Sequence, residues 1–182
     1  YAYELAVIIQ DGIRRMYSEG EDVFYYITIG NENYTHDAMP EGVREDILKG
    51  MYRLQAAKKS KQPRVQLLGS GTILNEVKQA ATQLQEDYGI RADVWAVTSY
   101  KELYTDAIEC ERWNLLNSGK KAKVPYLQQL LAKEHGVFVA ASDYMKVLPA
   151  SVAQWFPGPL HCLGTDGFGR SDRRSDLRSH FE

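Results

Sequence analysis

The sequence predicts an α/β chain: a three-layer α/β/α arrangement around a mainly parallel sheet, preceded by a helix-strand piece. Three observations carry this expectation. Short β-rich runs at 65–68, 94–97, 137–140 and 160–163 are separated by helical stretches, and strands that alternate with helices make right-handed crossovers and a sheet covered on both faces. Two of these runs open into glycine turns, Gly69-Ser70-Gly71 and Gly164-Thr165-Asp166-Gly167-Phe168-Gly169, as loops do at the carboxyl ends of strands in such sheets. Residues 1–29 hold a helical pattern followed by a strand-like run that has no sheet neighbour beside it in sequence.

Taken in order, Ala2, Leu5, Ala6, Ile9, Ile13 and Met16 recur at helical spacing, so an amphipathic helix runs from the first residues to Gly20. A helix with no lead-in suggests a piece of a longer chain. Val23-Phe24-Tyr25-Tyr26-Ile27-Thr28-Ile29 is a continuous β-branched and aromatic run, expected as a strand buried on both faces. Gly30-Asn31-Glu32-Asn33-Tyr34 breaks it, and a polar crossing leads past Pro40-Glu41-Gly42 to a short helix ending at Leu48. The linker at 58–63 divides the expected units into 1–55 and 56–182. Beyond it come a strand at 65–68 and a helix over 72–88, with Ile73, Val77, Ala80, Ala81 and Leu84 inward and Gly89 as its stop. A strand at 94–97, a helix over 100–116 and a polar loop at 117–123 follow. Pro125 starts a further helix; then come a strand at 137–140, a helix over 144–156, the last strand at 160–163 and a charged segment over 173–182.

The formal net charge of -2 excludes a nucleic-acid footprint, because phosphate binding needs a basic surplus on one face. The basic clusters Lys58-Lys59-Ser60-Lys61 and Lys120-Lys121-Ala122-Lys123 read as solvated loops. Cys110 and Cys162, far apart, suggest no disulfide framework, zinc site or redox pair, and a reduced, cytoplasmic setting fits. No apolar run approaches bilayer length and no leader is expected.

Each candidate site has a plain structural reading. Gly69-Ser70-Gly71 sits where a dinucleotide fingerprint would, but Leu74 stands in place of the third glycine. Cys110 is flanked by Glu109 and Glu111, which raise a thiol pKa and disfavour a nucleophile, and Cys162 reads as a small core residue. His36, His135, His161 and His180 contain no i, i+4 pair for a metal. Glu109/Glu111 and Asp172/Asp176 read as helix-surface charge, and Trp95, Trp113 and Trp155 as core or interface anchors. The 164–172 loop alone is compatible with a cofactor, a partner chain or a plain turn. No catalytic, cofactor-binding or metal-binding residue is assigned.

The order of the motifs adds what their chemistry lacks. Residues 1–12, Tyr25-Tyr26-Ile27-Thr28 with Asn31-Glu32-Asn33-Tyr34, and Ala38-Met39-Pro40-Glu41-Gly42 resemble the homodimeric bacterial type of the pyruvate dehydrogenase decarboxylating component. So, collinearly, do Leu67-Leu68-Gly69-Ser70-Gly71, Val97-Thr98-Ser99, Cys110-Glu111-Arg112-Trp113-Asn114, Ser142-Asp143-Tyr144-Met145-Lys146 and residues 163–172. The resemblance implies a fragment of a three-domain, transketolase-like parent that binds thiamine diphosphate and magnesium, decarboxylates pyruvate and passes acetyl to the lipoyl group of the acetyltransferase core. It makes 1–55 the tail of the pyrimidine-binding middle domain and linker, and 56–182 a transketolase-like C-terminal domain, truncated at its end.

The resemblance carries no catalytic residue onto this chain. The family's Gly-Asp-Gly motif with its distant Asn is incomplete, since Thr165-Asp166-Gly167 lacks the first glycine and the downstream partner. The glutamate that activates the aminopyrimidine falls before Tyr1 in the family. At Thr35-His36-Asp37 the chain departs from the family pattern, so no role passes to His36. The expected role is scaffold and dimer surface, with the 164–172 loop near the contact with a second copy, no nucleic acid or membrane partner, and no cofactor bound to the fragment itself. The alternative is a standalone α/β ligand-binding or oligomerisation module.

Overall fold

The computed structural model describes residues 1–182 except Asn31, Lys59 and Glu182, with the backbone alone for Arg174, Arg178 and Phe181. Its elements are α1 (Ala2–Ile13) with a π-helical continuation (Arg14–Ser18), α2 (Arg44–Leu48), β1 (Met51–Gln55), β2 (Arg64–Ser70), α3 (Ile73–Tyr88), β3 (Arg91–Val97), α4 (Tyr100–Leu116), α5 (Tyr126–Leu131), β4 (Val137–Ala141), α6 (Val147–Ala150), a 3-10 turn (Ala153–Trp155), β5 (Leu160–Leu163) and α7 (Arg174–Phe181). The strands form one sheet in the order β1-β3-β2-β4-β5. Four run parallel, and β1 pairs antiparallel with β3, Met51 opposite Val97. The chain builds outward from β2 to β3 on one side, then crosses back to β4 and β5 on the other. This reversal puts a crevice at the carboxyl ends of β2 and β4, the position at which doubly wound sheets take ligands.

Alternation along the strands divides the core in two. Leu67 packs with Val7, Ile47, Tyr52, Leu74 and Val77 beneath α1, α2 and α3. Its neighbour Leu68 packs with Trp95, Leu103, Leu127, Phe138 and Trp155 beneath α4, α5 and the β4–β5 crossover. All seven residues of β3 are buried, as expected of a strand with helices on both faces. Gly89, at φ 64°, ends α3 in the left-handed conformation that glycine adopts without a Cβ penalty. Leu74 is buried in α3 where the helical pattern favoured Ala80, which is exposed.

Three expectations are corrected. Residues 22–29 form no strand: Phe24 and Tyr26 are each 87% exposed, and the segment joins neither sheet edge. A β-rich composition favours extended backbone, but a strand exists only where a neighbour takes its hydrogen bonds. In the opposite sense, β1 was not expected, and residues 51–55, assigned by sequence to the first unit, are an edge strand of the sheet. Gly50, at φ 103°, turns the chain into β1, and its carbonyl accepts from the Thr98 and Ser99 amides at 2.9 and 3.1 Å. Finally, 144–156 is a turn, one helical turn (α6) and a 3-10 turn instead of one helix. The Tyr144 carbonyl, which a helix would turn to the Leu148 amide, accepts instead from the Thr165 amide at 3.0 Å, and the Lys146 amide donates to Asp166 Oδ1 at 3.0 Å, so the turn is bound to the 164–166 loop.

Candidate functional site

The crevice at the carboxyl ends of β2 and β4 is built from residues that bind one another. A Cβ on Gly69 would lie 2.8 Å from Leu74 Cα and 3.1 Å from Val77 Cγ2, so this glycine lets α3 sit directly on β2. Ser70 Oγ donates to Ser142 Oγ at 3.1 Å across the two strand ends, and Ser142 Oγ also accepts from the Tyr144 amide at 3.2 Å. The Ser142 amide donates to the Leu163 carbonyl at 3.1 Å. Each hydroxyl is tied into the sheet, and no histidine takes part in these bonds, so the arrangement lacks the paired base of a nucleophilic serine.

On the outer side of the crevice, a Cβ on Gly164 would meet the Tyr144 carbonyl oxygen at 2.5 Å and the Lys146 nitrogen at 3.0 Å. Glycine is what allows the loop to lie against the 144–146 turn. Lys146 Nζ pairs with Asp166 Oδ2 at 3.1 Å. Donation from the Lys146 amide, then from its ammonium, holds the Asp166 carboxyl below the usual carboxylate range. The pair neutralises itself, and beyond it Phe168 stands 95% exposed.

These residues do not fit a diphosphate with its magnesium. The Gly69 position is spent on helix–strand contact, the one carboxylate in the 164–167 turn already holds Lys146, and among the described residues no three His, Cys, Asp or Glu side chains converge to hold a metal.

A second polar cluster joins α1, the 34–37 segment and α3. Lys78 Nζ binds Asp37 Oδ2 at 2.7 Å and lies 3.1 Å from the Tyr1 hydroxyl. That hydroxyl donates to Asp37 Oδ2 at 3.2 Å. Lys78 lowers the Asp37 carboxyl pKa, and Asp37 raises that of the Lys78 ammonium. His36 Nδ1 accepts from the Ala2 amide at 2.9 Å, and its ring meets Tyr1 edge-on at 5.8 Å. Alongside lies a shallow groove of about 470 Å³ between Tyr34 and Thr35 on one side and Asn75, Lys78 and Gln79 of α3 on the other.

At the amino end of the parallel strands, Asp93 is fully buried. It accepts from Arg64 Nη2 at 2.8 Å, Gln66 Nε2 at 3.2 Å and the Ala57 amide at 3.1 Å. Gln66 Oε1 accepts from Trp95 Nε1 at 2.9 Å, and the Arg53 guanidinium lies 4.4 Å over the Trp95 ring. Glu134 binds Arg53 and lies 3.1 Å from Arg64 Nη2. Two cations and two carboxylates close the open end of the core.

The remaining sequence candidates are dispersed. Cys110 is buried, and burial, then Asp106 and to a lesser degree Glu109, pushes its thiol up; burial does the same to Cys162. Both thiols are free. Glu111 is more than surface charge, since its Oε1 accepts from Trp155 Nε1 at 2.7 Å. Lys120 and Lys123 lie 5.9 and 4.9 Å over Trp113, so this basic cluster covers an aromatic ring. Lys59 of the other cluster and Asn31 of the Asn31-Glu32-Asn33 string lie outside the described residues. His135 and His161 are exposed and distant in sequence from any partner histidine. Sequence reasoning missed the Asp93 network, although Arg-x-Gln at 64–66 and Asp-x-Trp at 93–95 place polar side chains on alternate positions of central strands.

A transketolase-like TK C-terminal domain model matches residues 50–182, starting just ahead of β1, and a pyruvate dehydrogenase E1 component middle domain model matches residues 1–37. The pyruvate dehydrogenase E1 component of Pseudomonas aeruginosa is 53% identical over all of this chain and 21% of its own length. That of Escherichia coli K12 is 51% identical over all of this chain and 20% of its own length. The chain thus spans about a fifth of the curated relatives it matches. A transketolase from Campylobacter jejuni superposes with a TM-score of 0.45 at 20% identity, over 73% of this chain and 16% of that one. No helix among the described residues is long and apolar enough to cross a membrane. On the domain-model match over residues 50–182 and the identity to the two curated relatives, the chain belongs to the transketolase-like C-terminal domain family and is a homologue of the pyruvate dehydrogenase E1 component along its whole length.

Proposed function

We propose that the chain is the C-terminal part of a pyruvate dehydrogenase E1 component, an enzyme that oxidatively decarboxylates pyruvate with thiamine diphosphate and magnesium and transfers acetyl to lipoyl groups of its acetyltransferase. The observation that carries this reading is the 53% identity maintained along the entire chain with one such component. In this reading the first residues, up to the approach to β1, complete the middle, pyrimidine-binding domain, and the sheet is the C-terminal domain. The protein is a homodimer of the bacterial cytoplasm.

The work of these residues is mechanical. Thiamine chemistry requires a cleft from which water is excluded, and a cleft shared between domains keeps its shape only if each domain is rigid. The two-sided core and the buried Asp93 network supply that rigidity. The Phe168 loop, which buries nothing of its own, supplies dimer surface. Catalytic and cofactor-binding groups belong to the preceding part of the enzyme. Calorimetric titration of thiamine diphosphate with magnesium into the 182-residue chain tests this division. No heat is expected, and saturable binding would overturn it. Absence of pyruvate-dependent acetyl transfer by the full-length protein in its complex would overturn the assigned activity.

A further inference from the structure

The two family models part between residues 37 and 50, but the packing does not part there. Val7 of α1 is 4% exposed and lies in one apolar cluster with Ile47 of α2, Tyr52 of β1, Leu67 of β2 and Leu74 of α3. A helix matched to the middle domain thus fills the core of the C-terminal sheet. The polar contacts follow it. Tyr52 is fully buried, and its hydroxyl donates to Glu4 Oε1 at 2.8 Å. With its one proton so used, that hydroxyl accepts from the Tyr3 hydroxyl at 2.6 Å. Both bonds cross from α1 to β1.

The stretch between the two models is fastened on both sides. Arg44 Nη2 donates to Gln10 Oε1 of α1 at 2.8 Å, and Thr98 Oγ1 donates to the Ile47 carbonyl at 2.7 Å. Domains of one chain move relative to each other by default, because the surfaces between them are commonly small and polar; a large apolar contact removes that freedom. Here the contact is part of the core itself. Opening the boundary means exposing Val7, Ile47 and Tyr52 together and leaving the Tyr52 hydroxyl without its α1 partners.

We propose that α1 is a shared helix: it is matched to the middle domain by sequence and to the C-terminal core by packing, so that α1 and the sheet open as one cooperative unit and the domain boundary is a rigid joint. This rests on the reading that residues 1–37 complete the middle domain. Native-state hydrogen exchange on the full-length protein, in a urea series below the unfolding transition, tests it. The amides inside α1 and along β3, which is paired on both sides, are hydrogen-bonded and therefore report opening. The slowest amides of both elements are expected to share one opening equilibrium and one urea dependence. Tyr52→Phe keeps the ring and removes the two bonds across the joint, and it should lower protection by about threefold to tenfold, by the same factor in α1 as in β3. Val7→Ala, which leaves Tyr52 in place, should again lower both together. In either variant, a loss confined to one element or absent from both overturns the proposal. So does a wild-type α1 that opens more readily than β3 and with a weaker urea dependence. None of these readouts uses catalysis, so failure of the joint and failure of the assigned activity are distinguishable.

Discussion

Removal of the Asp93 carboxylate is the sharpest test of how this domain is held together. Asp93→Ala deletes four hydrogen bonds and leaves Arg64 and Arg53 facing a buried gap. Breaking a fully buried ion pair from one side costs about 3–5 kcal/mol. Here the cations keep Glu134, and the Arg64 and Arg53 side chains remain 24% and 33% exposed. Water and the second carboxylate therefore relieve part of the penalty, and the expected loss is about 2–4 kcal/mol. Asp93→Asn, which retains an acceptor for the Ala57 amide, should cost less. Urea unfolding followed by tryptophan fluorescence reads the difference as a lower midpoint at unchanged slope.

The pH dependence supplies a second arm. Burial alone would push the Asp93 carboxyl up, but donation from Arg64 and from the Ala57 amide outweighs it and holds the carboxyl below its ordinary range. A group with a depressed folded pKa contributes fully above its unfolded pKa, about 3.9, and loses that contribution as pH falls through the folded value. The gap between wild type and Asp93→Ala should therefore be constant near neutrality and narrow below about pH 4. A destabilisation under about 1 kcal/mol at pH 7, within the range of exposed pairs, would refute the view that this network closes the core.

Two further outcomes are expected. Gly164→Ala places a Cβ 2.5 Å from the Tyr144 carbonyl oxygen and should destabilise by about 1–3 kcal/mol, with a lowered thermal midpoint; an unchanged midpoint would mean that the loop does not lie on the 144–146 turn. Phe168→Ala, at a side chain 95% exposed, should leave monomer stability within about 0.5 kcal/mol yet weaken self-association of the full-length protein in sedimentation, and unchanged sedimentation would count against the loop as dimer surface.

Local chemistry made much of the fold legible. Apolar periodicity located α1, α3, α4 and α5, while Gly89 and Pro125 marked a helix end and a helix start, because these signals act within a few residues of where they are read. Collinear motifs made the family legible for a different reason: many short strings in fixed order identify descent even where no single string has distinctive chemistry. Pairing escaped this kind of reading. Residues 22–29 have better strand composition than Met51-Tyr52-Arg53-Leu54-Gln55, yet the latter is the strand, because β3 offers it a ladder partner.

The candidate sites divide along the same line. That two glycine turns stand at strand ends, that two carboxylates flank Cys110 and that no histidine pair is spaced for a metal were determined by the sequence. That Gly69 serves α3 packing, Glu111 anchors Trp155, Asp93 gathers two arginines and His36 accepts from an amide 34 residues earlier was decided only by tertiary structure. Helix and turn preferences are short-range energies carried by each residue, whereas a hydrogen bond or a buried charge pair depends on which distant backbone the fold brings within about 3 Å.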